Sequence, residues 1–105
     1  MWQRLCGALG CFILATNVTA SQLNFVALGD LPYGPDTTAG VKYRALINAI
    51  NRTDSQFSIH VGDFKSGSMA CSDEQFLLQR RHFEQFSNPV VYTPGDNEYR
   101  LPSEK

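Results

Sequence analysis

Three aspartates recur at an equal spacing of 33 residues, and each follows a short apolar run and a glycine. They are Asp30, Asp63 and Asp96. A carboxylate just past the end of a buried parallel strand lies at the sheet edge where α/β proteins bind their ligands. Like charges brought together disfavour ionisation unless a cation neutralises them. The spacing therefore predicts that the three carboxylates meet at a site for one divalent metal ion, or for two.

The elements that must position these carboxylates follow from the hydrophobic pattern. Apolar runs at 23–28, 57–61 and 90–92 predict three strands. Helical spacing of apolar residues, together with Thr and Ser caps, predicts helices at about 39–51 and 72–86. The order β-α-β-α-β indicates the α/β class with a parallel sheet. Because crossovers between parallel strands are right-handed, both helices should cover one face and leave the other bare.

The alternation in the second strand assigns side chains to the two faces. Phe57, Ile59 and Val61 share one side, so we expect His60 to point to the other. His82 lies among charged neighbours in the second helix, and we expect it to be exposed. The inner face of that helix is predicted to consist of Phe76, Leu77, Phe83 and Phe86.

Composition limits the class of protein. The chain has 105 residues, which is room for one small domain, and its 43% apolar and 18% charged content is typical of a globular protein. The net charge is -1 and no long Lys/Arg run occurs. We therefore expect neither a nucleic-acid-binding patch nor attraction to a membrane surface.

The first 20 residues are typical of a signal peptide, and we place the domain at 21–105. Arg4 precedes an apolar stretch at 5–15 that is too short to span a bilayer, and cleavage is expected after Ala20. The alternative is a buried core helix. A signal peptide implies a secreted, extracellular protein with no membrane span after cleavage. Cys71 would then remain alone, which suggests a missing partner or an intermolecular bridge.

Other interpretations of the Gly-Asp pairs exist. Each pair alone is a common turn, or a cap for the helix that follows. The 33-residue period also suggests ankyrin repeats, but the strand-rich units and the missing Thr-Pro-Leu-His signature argue against them. A phosphatase with an aspartate nucleophile would need a second aspartate two residues after the first, and Asp30-Leu31-Pro32 does not provide it.

The motifs Gly29-Asp30, Gly62-Asp63 with Gly67, and Gly95-Asp96-Asn97-Glu98 resemble the first three motifs of the calcineurin-like metallophosphoesterases. That superfamily includes the purple acid phosphatases. The stretches at 60–68 and 92–98 are especially similar to a secreted branch of it. The resemblance covers nearly all of 21–105. It implies the N-terminal half of a four-layer α/β/β/α domain.

The resemblance also implies roles for single residues. Asp63 matches the aspartate that bridges two metal ions, and Asp30 matches the one that binds the first metal. Asp96 stands where an asparagine binds the second metal. Asn97 stands at the catalytic position where a histidine usually contacts the phosphate, but an amide does not titrate and cannot act as a general acid.

The chain departs from the family pattern in its first motif and in its histidines. Pro32 replaces the first motif's histidine, and Tyr33 follows it, either as a substrate contact or as a buried loop aromatic. Gly67 comes one residue early. The family's later histidine ligands, including a GHxH motif, are missing, and His60 and His82 are the chain's only histidines. Oxygen ligands favour Mg²⁺ or Mn²⁺, whereas complete relatives use Fe or Zn.

Two functions follow as hypotheses. The first is a metal-dependent phosphoesterase that hydrolyses phosphomonoesters or diesters, here truncated and weakly active or inactive. The second is a secreted, non-catalytic interaction protein that self-associates through the bare sheet face or through Cys71.

Overall fold

The computed structural model describes residues 21–100. The predicted signal peptide at 1–20 and the segment 101–105 lie outside the described residues.

A three-stranded parallel sheet forms the centre of the fold. Its strands are β1 (Phe25–Leu28), β2 (Phe57–His60) and β3 (Val90–Tyr92), in the spatial order β1-β2-β3. In register, Ala27 of β1 and Val91 of β3 both lie opposite Ile59 of β2. The three strands lie within the predicted ranges, and β3 matches its range at both ends. The α/β class is therefore confirmed.

Two helices connect the strands. A π-helical turn, Asp36–Gly40, runs directly into α1 (Val41–Ile50), and α2 spans Asp73–Phe83. The Ser72 hydroxyl accepts a hydrogen bond from the Gln75 backbone N–H and so caps α2, as the sequence predicts. Acidic residues in its first turn and basic residues in its last also suit the helix dipole. The predicted Thr cap of the first helix is wrong, because no side chain caps either the π-helical turn or α1.

Both helices cover the same face of the sheet, as right-handed crossovers require. His60 of β2 is fully buried, and its ring lies 6.4 Å from that of Tyr43 in α1 and 5.3 Å from that of Phe83 in α2. Ile47 and Ile50 of α1 complete the buried apolar core on this side. The expectation that His60 points away from Phe57, Ile59 and Val61 is confirmed.

The predictions for the inner face of α2 were wrong in part. His82 is 1% exposed, and its ring packs 5.0 Å from Tyr43 in an edge-to-face arrangement. Phe76 and Leu77 are 41% and 51% exposed. The helix instead turns Gln79 and His82 inward, at helical spacing, and Gln79 donates a hydrogen bond to the Tyr43 hydroxyl. A core that accepts polar partners is not visible in hydrophobic periodicity.

The opposite face of the sheet carries large apolar side chains in contact with solvent. Phe25 and Phe57 stack across β1 and β2, with ring centroids 5.2 Å apart. Phe25, Val61 and Val91 are each about half exposed. The predicted bare face is therefore present in the part of the chain that is described. None of the helices within 21–100 is long and apolar enough to cross a membrane.

Candidate metal centre

Asp30 and Asp63 occupy equivalent turns at the carboxyl ends of β1 and β2. Their φ angles are 59° and 57°, so both adopt the left-handed conformation that non-glycine residues seldom use. The Asp30 backbone N–H donates to the Gly62 carbonyl at 3.1 Å, which joins the two turns. Backbone strain of this kind tends to occur at functional sites. The two aspartates therefore lie at one edge of the sheet in matching backbone geometry.

Hydrogen bonds connect these two carboxylates through the loops that follow the strands. The Tyr33 hydroxyl lies 3.5 Å from Asp30 Oδ1 and accepts from Asn97 Nδ2 at 3.1 Å. The Asn97 backbone N–H donates to Asp63 Oδ1 at 3.0 Å. The structure thus brings together four of the five predicted site residues, namely Asp30, Tyr33, Asp63 and Asn97.

Tyr33 is 43% exposed, so its interpretation as a buried loop aromatic is wrong. Desolvation raises the pKa of its phenol above 10.0, and the charges of Asp63 and Asp30 raise it further, while the hydrogen bond from Asn97 opposes them. The hydroxyl therefore stays protonated at neutral pH. It can donate a hydrogen bond at the edge of the site.

Asp96 lies outside this network. Its side chain is 70% exposed and its Oδ2 lies 3.5 Å from Arg100 Nε. Among residues 21–100, no three His, Cys, Asp or Glu side chains form a ready set of metal ligands. The expected meeting of all three aspartates is therefore not seen. Two of them are connected, and the third turns toward the arginine four residues further along.

Glu98 holds the turns that carry the site. Its side chain is 5% exposed and accepts three backbone hydrogen bonds. Oε2 takes the N–H of Asp63 at 3.0 Å and of Gly95 at 2.7 Å, and Oε1 takes the N–H of Phe64 at 2.7 Å. One buried carboxylate thus ties the turn after β2 to the turn after β3. The sequence alone shows Glu98 only as a further possible metal ligand or hydrogen-bonding group. Its position three residues after Gly95, the spacing of a capping box, is the sequence signal for its structural role.

His60 hydrogen-bonds to the turns after β1 and β2 from the core side of the sheet. Its Nδ1 accepts the Gly62 N–H at 3.1 Å, so the other ring nitrogen, 3.2 Å from the Leu31 carbonyl, is the donor. Burial lowers the pKa of His60 below 6.5, and the Leu31 carbonyl and the charges of Glu98 and Asp30 oppose this only in part. The ring is neutral at pH 7 with both nitrogens engaged. It is a structural residue and offers no free ligand atom.

Gly62 is required by close backbone approach. Its φ is 91°, and a Cβ at this position would collide with the backbone nitrogen of Gly95. Gly67 faces the site, because a Cβ there would lie 2.8 Å from Asn97 Oδ1. Its early position in the motif therefore still brings it against Asn97.

Two further residues stabilise the loop between β2 and α2. Lys65 is fully buried, and its ammonium donates to the Met69 carbonyl at 2.9 Å. The Cys71 Sγ lies 3.0 Å from the carbonyl oxygens of Glu98 and Arg100. Nothing in the sequence pattern predicts the burial of Lys65. Cys71 faces the backbone of the segment after the third motif.

A comparison of the chain with protein-family models, curated proteins and solved structures found no match. The ligand atoms of the site itself indicate its chemistry. The site offers carboxylate, amide and phenol oxygens at one sheet edge, a donor set that suits hard cations such as Mg²⁺ and Mn²⁺.

Proposed function

We propose that this chain is part of a calcineurin-like metallophosphoesterase domain from a secreted branch related to the purple acid phosphatases. In this proposal it binds a divalent metal ion and acts on phosphomonoesters or diesters. The observation that carries the proposal is the pairing of Asp30 and Asp63 in matching left-handed turns, linked by Tyr33 and Asn97. This is the edge at which α/β sheets bind ligands.

The residues present fit a hard divalent cation in part. Asp30 and Asp63 provide carboxylate oxygens, and Asn97, whose backbone N–H donates to Asp63 Oδ1, carries an amide oxygen that faces Gly67. Asp96 would join them after release from Arg100, and exposed ion pairs of this kind hold a side chain by only about 0–1 kcal/mol. A bound cation would relieve the repulsion among the carboxylates and thereby favour this rearrangement.

When bound, the metal ion would lower the pKa of a water molecule and neutralise charge on a phosphate group. The chain's own groups would orient the substrate. The Asn97 amide and the protonated Tyr33 hydroxyl can donate hydrogen bonds to phosphate oxygens. Neither is a general acid near neutral pH, since an amide does not titrate and the tyrosine pKa is raised.

The histidines explain why turnover should be slow. His60 uses both ring nitrogens for hydrogen bonds in the core, and His82 lies on the inner side of α2, where it is 1% exposed. Neither can reach the sheet edge. The ligands of this chain are therefore oxygens, which bind Mn²⁺ or Mg²⁺ more weakly than a mixed site with imidazoles would bind Zn²⁺.

Hydrolysis of an aryl phosphate with added Mn²⁺ tests the proposal. We expect slow, Mn²⁺-dependent turnover that is lost in Asp63→Asn and kept in Asp73→Asn, an exposed carboxylate on α2. Turnover that is unaffected by removing Mn²⁺, or that survives in Asp63→Asn, would contradict the proposed role of the sheet edge. Fast turnover would contradict the expectation of a weak site.

The bare sheet face favours a second candidate function. It carries the stacked pair Phe25 and Phe57, with Ile59, Val61 and Val91 beside them and no charged side chain on the strands. An apolar face of this kind needs an apolar partner. We propose a second copy of the chain, because an identical face supplies the same uncharged surface across a two-fold axis. In this case the protein is a self-associating interaction protein.

A further inference from the structure

The described residues line an open cavity of about 300 Å³ that shares Tyr33 with the candidate metal centre. It lies between the loop after β1 and the outer side of the first helical segment. Leu31 and Pro32 form one wall, and Ala39 and Leu46 form the other. This volume is at the lower end for ligand-binding clefts, so it suits a ring or a short chain and not a large ligand.

Three lining residues, Tyr33, Lys42 and Tyr43, carry a polar group, and the hydroxyl of the buried Tyr43 already accepts a hydrogen bond from Gln79. Lys42 makes no ion pair within 21–100, so its ammonium is available to an anion. The Tyr33 hydroxyl lies 3.5 Å from Asp30 Oδ1 and 3.1 Å from Asn97 Nδ2. Tyr33 therefore belongs to both the cavity and the candidate metal centre.

We propose that this cavity binds the organic group of an anionic phosphoester, and that the group is a small aromatic or branched aliphatic one. The proposal rests on the proposed function for the identity of the anion. The apolar walls bury the organic group, and the Lys42 ammonium, which lines the cavity without an ion pair in the described residues, would pair with the anionic group. Because Tyr33 is shared, a ligand whose ring fills the cavity and whose anionic end pairs with Lys42 lies beside the candidate metal centre.

The test uses phenylphosphonate and methylphosphonate, which have the same anionic group and resist hydrolysis. Each is titrated into the full chain without metal, and amide NMR shifts of Ala39, Lys42 and Leu46 are followed. We expect saturable shifts at these amides, with phenylphosphonate binding about tenfold more tightly, since burial of an aromatic ring stabilises a complex by at least that factor. Equal affinities, or shifts confined to other surfaces, would overturn the proposal.

Variants localise the effect. Leu46→Ser removes an apolar wall and should weaken phenylphosphonate binding about fivefold or more, whereas Leu77→Ser, at an exposed leucine of α2, should not. Lys42→Gln changes an exposed helix position and should weaken phenylphosphonate binding but leave uncharged benzyl alcohol binding unchanged. Equal weakening by Leu46→Ser and Leu77→Ser would contradict the assignment.

Failure of this inference is distinguishable from failure of the proposed function. Aryl-selective binding at these amides in a chain that does not bind Mn²⁺ would support the cavity and refute the metal site. Mn²⁺ binding at the sheet edge without preference for the aryl probe would refute the cavity and leave the metal site in place.

Discussion

Glu98 stabilises the site through three backbone N–H groups that have no other acceptor of equal strength. Bonds to a charged acceptor are worth more than neutral ones, and a buried donor left without a partner is costly. Glu98→Gln puts an amide N–H against backbone donors. We expect it to lower the free energy of unfolding by about 2–4 kcal/mol, as measured by urea denaturation.

Glu84→Gln is the matched control for Glu98→Gln. Glu84 pairs with Arg80 one turn away on the solvent side of α2, and both side chains are more than half exposed. Its loss should cost less than about 0.5 kcal/mol. Similar losses of stability in the two variants would refute the structural role of Glu98.

Two buried histidines make stability depend on pH. Burial lowers the pKa of both His60 and His82 below 6.5, and for His82 the nearby Arg44 and Arg81 add to this while Asp36 opposes it. Below about 6.5 the unfolded chain therefore binds protons that the folded chain does not. We expect the two neutral histidines to contribute fully to stability above that pH, and this contribution to be lost progressively as the pH falls toward their folded-state pKa values. Urea denaturation midpoints measured from pH 7.5 to 5.0 check this.

His82→Leu separates the two histidines. The ring nitrogens of His82 are buried without a well-formed hydrogen bond within 21–100, and the nearest acceptor, Asp36 Oδ1, is 3.5 Å from Nε2, so an apolar replacement loses only this long contact. It should reduce the loss of stability below pH 6.5 and leave the protein at least as stable at pH 5.5. An unchanged pH dependence, or a histidine proton that titrates above 6.5 by NMR, would contradict the assignment.

At the level of single residues, the sequence predicts where a residue lies when the backbone path sets its position. It does not predict which partner an individual side chain will bond. The positions of Asp30 and Asp63 follow from the strand ends. The direction of Asp96 does not, because it depends on an exposed arginine in the next turn. The burial of Glu98 and Lys65 depends on backbone groups that come close only in the folded chain.

The C-terminal ends of the two helices are joined by one side chain. Asn51 follows α1, and its Nδ2 donates to the Gln85 carbonyl at 2.8 Å while its Oδ1 accepts the Ser87 N–H at 2.8 Å. Asn51-Arg52-Thr53 is also a glycosylation sequon in sequence. In the folded chain, however, this amide is engaged on both sides and serves as a structural bridge.

Asn51→Asp tests that bridge. The carboxylate keeps the acceptor for Ser87 but faces the Gln85 carbonyl without a donor, so the free energy of unfolding should fall by about 1–3 kcal/mol. Asn48→Asp, at an exposed position of the same helix, is the control and should have little effect. Thermal unfolding curves that shift equally for both variants would show that the bridge contributes nothing.

At the level of elements, three apolar runs and two capped helical patterns were enough to predict the order, the direction and the shared helix face. The prediction of which side of α2 faces the sheet was wrong in part. The apolar positions 76 and 77 lie on the outer side because Gln79 and His82 find polar and aromatic partners in Tyr43. Phe76 then packs edge-to-face on Phe64, at 5.1 Å.

The proposed self-association through the bare face would be a property of the whole molecule. Val61→Lys and Val91→Lys place a charge on that face, so they should convert the wild-type assembly to a monomer in sedimentation velocity. Val41→Lys, on α1 and 53% exposed, is the control and should leave the assembly unchanged. Reductant should also have no effect, because the Cys71 thiol faces the carbonyls of Glu98 and Arg100.

A wild-type monomer at the same concentration, or an equal effect of Val41→Lys, would contradict association through this face. The β-α-β-α-β order predicts that the face is bare, because crossovers between parallel strands are right-handed. In the proposed dimer an identical face would cover it.

The proposed divalent cation would bind at the sheet edge that carries Asp30 and Asp63. Paramagnetic broadening of the amide NMR spectrum by Mn²⁺ measures that binding residue by residue. We expect saturable broadening confined to the amides around Asp30, Asp63 and Asn97, absent in Asp63→Asn and unchanged in Asp73→Asn. Broadening centred elsewhere, or equal in the Asp63→Asn variant, would show that these carboxylates hold no metal ion.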